Sequence, residues 1–402
     1  MNSTKNFNLN YNINETDDHI CGAAEYYTDT RFTFLIISSF IAACGTIGNI
    51  ILFYVLIKKK DNTQKPTLYP SVLAILDCLL CIVYILIFGI DAIIHYLHIY
   101  PLFIIYFKYV IPVFAISKIV QISMPYMLIF ATIERLIWTF GQIENWILRQ
   151  TQTDKGRLWT IFLTMFICII SRSVYFFNGK LDLYPNCPDI FRTKAIGGAE
   201  WWSEELIHLD LITFTILQVF IPFFILIILN CIIIRRMADK VKKFTNEPNM
   251  ATCKKLLLKQ EATTSPSRKC SLISNDSTIN VTKNRTNSIT SSLRVDKKMR
   301  SAVLTMTAIV ASYLISNSLS LFLTILERTD SDLLKDSNDE TLASTFHSTF
   351  SDIVSFTYMF TSAVRIIIYY ICNPSIRNDL NEYFSMFHKN HYKSEKNLPI
   401  EL

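Results

Sequence analysis

Glu134 and Arg135 stand side by side in the stretch IFATIERLIW, residues 129–138, near the end of an apolar run. An adjacent acid and base can form an ion pair that one conformation keeps and another releases. Arginine suits such a switch because its guanidinium stays charged and offers a rigid fork of donors. Two more charges interrupt apolar runs: Asp77 in LAILDCLL and Arg365 in TSAVRIIIYY. Asn49, closing the stretch TIGN, adds an amide able to bond between helices. Charges deep in a bilayer are costly and default to a functional role, whereas a charge near a helix end can reach the interface along its own stem. Asp77 is too deep for that route, so it must take up a proton or find a partner. The seven histidines, at 19, 95, 98, 208, 347, 388 and 391, form no HExxH, and no phosphate loop or nucleophile elbow is present. Catalysis, a metal centre and a cofactor are therefore not expected. His95 and His98 are spaced for one helix face and read as residues of the outer interface.

The elements that hold these side chains follow from composition. The chain has 402 residues, 51% hydrophobic and 18% charged, which is too apolar for an ordinary soluble protein. Seven apolar runs, at about 32–57, 68–90, 109–139, 158–177, 209–234, 302–326 and 350–371, alternate with short polar stretches. About 20 apolar residues cross a bilayer as a helix. Isolated strands cannot satisfy their backbone in lipid, and a β-barrel would show alternating segments instead. The expected fold is an all-α membrane protein, a seven-transmembrane helix bundle. Its domains are a tail at 1–31, the membrane domain at 32–372 and a cytosolic tail at 373–402. In the last, Ile376, Leu380 and Phe384 form one apolar stripe of a short amphipathic helix against the membrane lipids.

Lys and Arg set the orientation. They crowd the loops after the first run (KKKDNTQK), after the third (Arg149, Lys155, Arg157) and after the fifth (from Arg235-Arg236). Those loops belong in the cytosol, so the N-terminus is expected outside the plasma membrane and the C-terminus inside. Sequons at Asn2 and Asn14 agree, whereas those at 275, 280 and 284 fall in the cytosolic loop. No cleavable signal peptide is visible, and the first apolar run is expected to direct insertion. The loop at 237–298, rich in Ser, Thr, Asn and Lys, reads as disordered at its centre and holds a basophilic kinase match, Arg268-Lys269-Cys270-Ser271. Of ten cysteines, only Cys21 and Cys187 are clearly outside; they are either bridged or two free thiols. The outer loop at about 178–207 is long enough for a lid or hairpin.

Asn49, Asp77, Glu134-Arg135, Trp159 and Pro222, in order over successive runs, resemble the rhodopsin-like G-protein-coupled receptors. The resemblance covers nearly the whole chain outside the tails and the long loop. It implies that Arg135 is the switch at the cytosolic end of the third helix, held at rest by Glu134 and released toward a heterotrimeric G protein. Arrestin and kinases are implied as further partners, and nucleic acid is not. The chain departs from the family at several points. Leu136 replaces the usual tyrosine, and Arg365-Ile366-Ile367-Ile368-Tyr369 stands where Asn-Pro-x-x-Tyr is usual. Only Tyr369 of that motif remains. Asn373-Pro374 falls too late and starts the amphipathic helix instead. The resemblance places Arg365 beside Asp77, which implies an internal ion pair in place of the usual sodium ion; the alternative has Arg365 reaching the inner interface. Asn317 lies near the expected sixth-helix proline. The third helix has no cysteine near Val110, so Cys21 becomes the substitute partner for Cys187.

The outer segments are acidic, with Glu15, Asp17 and Asp29 in the tail, Asp182 and Asp189 in the second loop, and Asp330 and Asp332 in the third. Acidic surfaces concentrate cationic ligands. Candidate ligand contacts at the outer helix ends are Asp91, Ser117, Lys118, Gln121, Asp210 and Asp352. Lys118 is adjacent to the face shared by Ser117 and Gln121, and it either pairs with Asp91 or meets a ligand carboxylate. Its charge argues against a monoamine. The segments SYLISNSL and NPSIR also resemble invertebrate FMRFamide-like neuropeptide receptors, which implies a short basic peptide as ligand. Trp201-Trp202 offers an aromatic surface for such a peptide or an interfacial anchor. The competing readings are a chemosensory receptor for small environmental molecules and a receptor-like protein that does not signal. A transporter would show repeats or broken helices, and none is evident.

Overall fold

The computed structural model describes residues 21, 27–58, 68–140, 153–173, 176–177, 179–198, 212–213, 215–246, 301, 303–326, 329, 333 and 344–396. Asn2, Asn14, Asp210, Trp201, Trp202 and residues 247–298 lie outside that set. The chain folds as a helical, multi-pass membrane-type bundle with one small hairpin. Its helices are α1 (Asp29–Lys58), α2 (Leu68–Leu97), α3 (Tyr100–Phe140), α4 (Asp154–Arg172), α5 (Ile221–Asn246), α6 (Val303–Leu326), α7 (Thr345–Ala363), α8 (Arg365–Cys372) and α9 (Pro374–Lys396).

Among the described residues, α1, α2, α3 through Ile137, Thr215–Arg236 and α6 are long and apolar enough to cross a membrane. The pair α7–α8, bent by 42° at its break, makes a sixth if it is taken as one span. Seven were expected. The shortfall is α4, whose 19 residues carry Asp154, Lys155, Arg157 and Arg172 and so hold too little uninterrupted apolar length. Many outward-facing residues are apolar, with Phe40 and Trp159 each 70% exposed, while Asn49, Asp77, Ser316 and Ser362 are fully enclosed. That inversion suits a lipid solvent, which rewards apolar exteriors and requires polar groups to pair inside.

Several boundaries differ from the sequence reading, each for a local reason. The second run carries on to Leu97 through a π-helical turn at Ile85–Gly89 and stops where His98 turns left-handed, φ 53°. His98 therefore leaves the helix and shares no face with His95. α3 begins at Tyr100 rather than near 109, directly after that turn, and accommodates Pro112 and Pro125. The fifth run enters through a π-helical segment, Thr215–Phe220, and α5 then continues to Asn246, well into the loop expected from 237. The seventh run breaks at Val364. Among the described residues the second outer loop holds an antiparallel hairpin, β1 (Gly179–Leu183) with β2 (Lys194–Gly198).

One core unites Leu52, Leu73, Met127, Leu226 and Ile309 from five helices. Ile376 and Leu380 of α9 join it, whereas Phe384 is half exposed, so only part of the expected stripe is buried. α1 meets α7 at Gly45, where an added Cβ would sit 2.5 Å from Ala363 Cβ and 2.7 Å from its Cα. Small residues permit this close approach of helices. Gly45→Ala improves helix propensity by about 1 kcal/mol, yet it is expected to destabilise by about 1–3 kcal/mol because the clash falls on backbone. Thermal unfolding in detergent checks this; a stabilised variant would mean that α1 and α7 do not pack this closely.

Candidate functional site

The deepest polar group is an ion pair. Arg365 Nη1 lies 2.7 Å from Asp77 Oδ2, with the two side chains 3% and 0% exposed, though the approach is not aligned for a directional hydrogen bond. The bend creates it. Val364, at φ −83° and ψ −1°, ends α7 and starts α8, and Arg365, the first residue of α8, is buried against α2. Asn49 of α1 donates to the Ser362 carbonyl at 3.0 Å, the last turn before the bend. Asp77 Oδ1, Asn49 Oδ1, Ser362 Oγ and the Tyr369 hydroxyl are buried with no hydrogen-bond partner in the protein. The neutral Tyr369 hydroxyl lies among the charges of Arg365, Arg135 and Asp77. The guanidinium supplies the positive charge beside Asp77.

The second ionic group lies at the ends of α3 and α4. Glu134 Oε1 meets Arg157 Nε at 2.7 Å, both side chains nearly enclosed, and Arg157 Nη1 reaches Asp154 at 3.1 Å. Arg135 is electrostatically coupled to Glu134, Tyr369 and Arg157. The sequence reading gave Glu134 to Arg135, whereas the salt bridge of Glu134 crosses to α4. Glu134 thus reaches Arg157 on α4 and stays electrostatically coupled to Arg135 beside it. Arg157 read as a loop base. The missed signal was Thr153, whose hydroxyl caps α4 by accepting from Gly156 N at 3.1 Å and so puts Arg157 inside the helix.

At the opposite end Cys21 and Cys187 form a disulfide, Cα–Cα 5.0 Å, that ties the segment before α1 to the hairpin connection. Arg31 grips Asp352 with two bonds, Nε to Oδ2 at 2.7 Å and Nη2 to Oδ1 at 3.3 Å. The Tyr27 hydroxyl donates to Asp91, and His95 Nε2 lies 3.5 Å from the other Asp91 oxygen. Arg31 also lies over the Tyr27 ring at 4.5 Å. Two acids read as ligand contacts thus have partners in the chain itself. Nothing in the spacing of Tyr27 or Arg31 announced this, since it depends on α1 packing beside α7 and α2.

Between the helices near this end is a cavity of about 520 Å³. Its wall includes Ser117, Lys118, Gln121, Gln218, Ser351 and Tyr358, but neither Asp91 nor Asp352. Gln121 donates to Ser117 at 3.1 Å, one helical turn away. Tyr358 donates to Asn317 at 2.7 Å, and Asn317 in turn donates to the Tyr313 carbonyl, so the residue near the expected proline ties α6 to α7. The arrangement combines an interhelical cavity with two buried ionic groups further along the same bundle. No protein-family model matches this chain, and no curated protein matches it.

Proposed function

We propose that the chain is a seven-helix plasma-membrane receptor of the rhodopsin-like kind that relays an extracellular ligand to a heterotrimeric G protein. In this reading α4 and the bent pair α7–α8 complete the seven spans, and the N-terminus faces outward. One observation carries it: a column of buried polar groups runs from Asn49–Ser362 through Asp77–Arg365 and Tyr369 to the Glu134–Arg157 pair, with the partly buried Arg135 beside it. Charges in a membrane interior are costly and default to a functional role. Ligand binding favours a state with α6 displaced, which opens a cleft near Arg135; the population shift is limited by the ligand's differential affinity for the two states. Arrestin and kinases would act on the same face.

A short basic peptide of the RFamide-like kind is the ligand favoured by the acidic outer segments. Asp352 already holds one guanidinium, that of Arg31, which supports its fitness for an arginine side chain. A small environmental molecule is the second reading, favoured by the interhelical cavity of about 520 Å³. G-protein activation in cells challenged with a library of amidated peptides tests the proposal, with Arg135→Ala at matched surface level. A response that the variant abolishes is expected. A response untouched by the variant would remove Arg135 from the switch, and silence to every ligand class would overturn the receptor reading.

A further inference from the structure

Asp352 sits in a complete site for an arginine side chain, and the occupant is the chain's own. Each of its carboxylate oxygens accepts from Arg31, Oδ2 from Nε at 2.7 Å and Oδ1 from Nη2 at 3.3 Å. A two-point grip of this kind fits the guanidinium fork, and an ammonium cannot reproduce it. The Tyr27 ring lies 4.5 Å from the guanidinium carbon and adds cation–π attraction. The Tyr27 hydroxyl donates to Asp91 of α2, whose other oxygen faces His95, and the ring stacks on His95 at 5.9 Å. The carboxylate is thus fixed by α7 and the aromatic face by α2. Their exposures differ from that of the cation. The Asp352 side chain is 6% exposed and the Arg31 side chain 20%, so water reaches the occupant more readily than the site. Thr28 Oγ1 accepts from Arg31 N at 3.2 Å, which holds the start of α1 without the Arg31 side chain. Ser351 and Ser355, beside Asp352 on α7, line the cavity, as does Phe88, three residues before Asp91. Three residues rise about 4.5 Å along a helix, less than the length of an extended dipeptide.

We propose that Arg31 is a resident placeholder in the ligand's arginine site and that a basic peptide binds by displacing it. The Arg31 side chain swings out to water. A ligand guanidinium takes both Asp352 oxygens and the face of Tyr27, and the neighbouring aromatic residue of the ligand enters the cavity. The proposal deepens the receptor reading by assigning a built-in competitor to its ligand site, and it rests on that reading for the basic peptide and for signalling. The exchange trades one bidentate pair for another, so its balance is set by competition. Arg31 is part of α1 and cannot diffuse away, which gives it the high effective concentration of a tethered group. Where it holds the site about nine-tenths of the time or more, the competent fraction is about a tenth or less. Apparent ligand affinity then falls about tenfold or more.

Binding to the full-length chain in detergent or nanodiscs tests this without any signalling step. The probes are the dipeptide amide Arg-Phe-amide, its lysine counterpart Lys-Phe-amide and its uncharged counterpart citrulline-Phe-amide. Arg31→Gln is expected to bind Arg-Phe-amide about tenfold or more tightly than the unsubstituted chain does. Citrulline-Phe-amide should show no gain, and Lys-Phe-amide a smaller one, since an ammonium offers no fork. The double variant Arg31→Gln with Asp352→Asn, which matches the unsubstituted chain in net charge, should lose the gain. Arg31→Lys, which keeps a cation beside Asp352 and so guards the fold, should give a smaller gain of the same kind. Equal or weaker binding of Arg-Phe-amide by both Arg31 variants overturns the proposal. So does a gain that survives Asp352→Asn, or one that Lys-Phe-amide shares in full, which would be a change of overall charge alone. A specific gain with no G-protein response to any ligand class retains the exchange site and sinks the receptor reading. A G-protein response to amidated peptides with no gain in either Arg31 variant does the opposite.

Discussion

Asp77→Asn is expected to destabilise the protein by about 3–5 kcal/mol, as removal of one partner from a buried ion pair does. Arg365→Met should cost less. The reason is an asymmetry in what each change leaves behind. Without Asp77 the enclosed guanidinium stays charged, because arginine does not give up its proton in proteins. Without Arg365 the lone carboxylate can become neutral by taking up a proton. The double variant Asp77→Asn with Arg365→Met removes both charges and should recover most of the loss. Thermal unfolding in detergent gives the four corners of the cycle, and the coupling energy follows from them. Additive effects would mean that the 2.7 Å contact carries no energy. A companion result is expected in ligand binding. Because Arg365 already supplies the positive charge beside Asp77, sodium should leave agonist affinity unchanged. A strong loss of affinity in sodium would mean that Arg365 swings away from Asp77 in the ligand-bound state.

Glu134→Gln is expected to have the second large effect. It removes the carboxylate that forms the salt bridge with Arg157 and to which Arg135 is coupled, leaving the buried Arg157 guanidinium near the partly buried Arg135. A loss of about 3–5 kcal/mol is expected, against about 1 kcal/mol or less for an ordinary exposed helix-end pair. Arg157→Leu should cost less than Glu134→Gln, since Glu134 keeps Arg135 as a coupled cation. Under the receptor reading Glu134→Gln also raises ligand-independent G-protein activation, because Arg135 loses its resting constraint. If Arg157→Leu costs as much as Glu134→Gln, the bridge to α4 outweighs the coupling to Arg135. A Glu134→Gln variant of unchanged stability and basal activity would reduce the cluster to a surface pair.

Read residue by residue, the chain discloses much about its elements and little about their contacts. Hydrophobic run length was enough to locate the bundle, since a bilayer demands a fixed apolar length and interior charge is rare. The depth of Asp77 and Arg365, the acid–base pair at 134–135 and the helix start at Pro374 were legible for the same reason. Boundaries were less so. Apolar composition is blind to the π-helical turns at Ile85–Gly89 and Thr215–Phe220, and helix continues into polar sequence at Asn246 because backbone bonding does not require apolar side chains.

Partners were decided by tertiary structure. The bend at Val364 brings Arg365 to Asp77. The packing of α3 on α4 gives Glu134 a second cation, Arg157, beside its coupling to Arg135. The approach of α1 to α7 gives Asp352 to Arg31, and both outer acids, Asp91 and Asp352, stand outside the described cavity wall. Sequence by itself determined which residues are costly in a membrane, because that cost depends on residue type and depth alone. Which of them neutralise one another depends on distances of a few ångströms between segments far apart in the chain, and only the packed bundle fixes those.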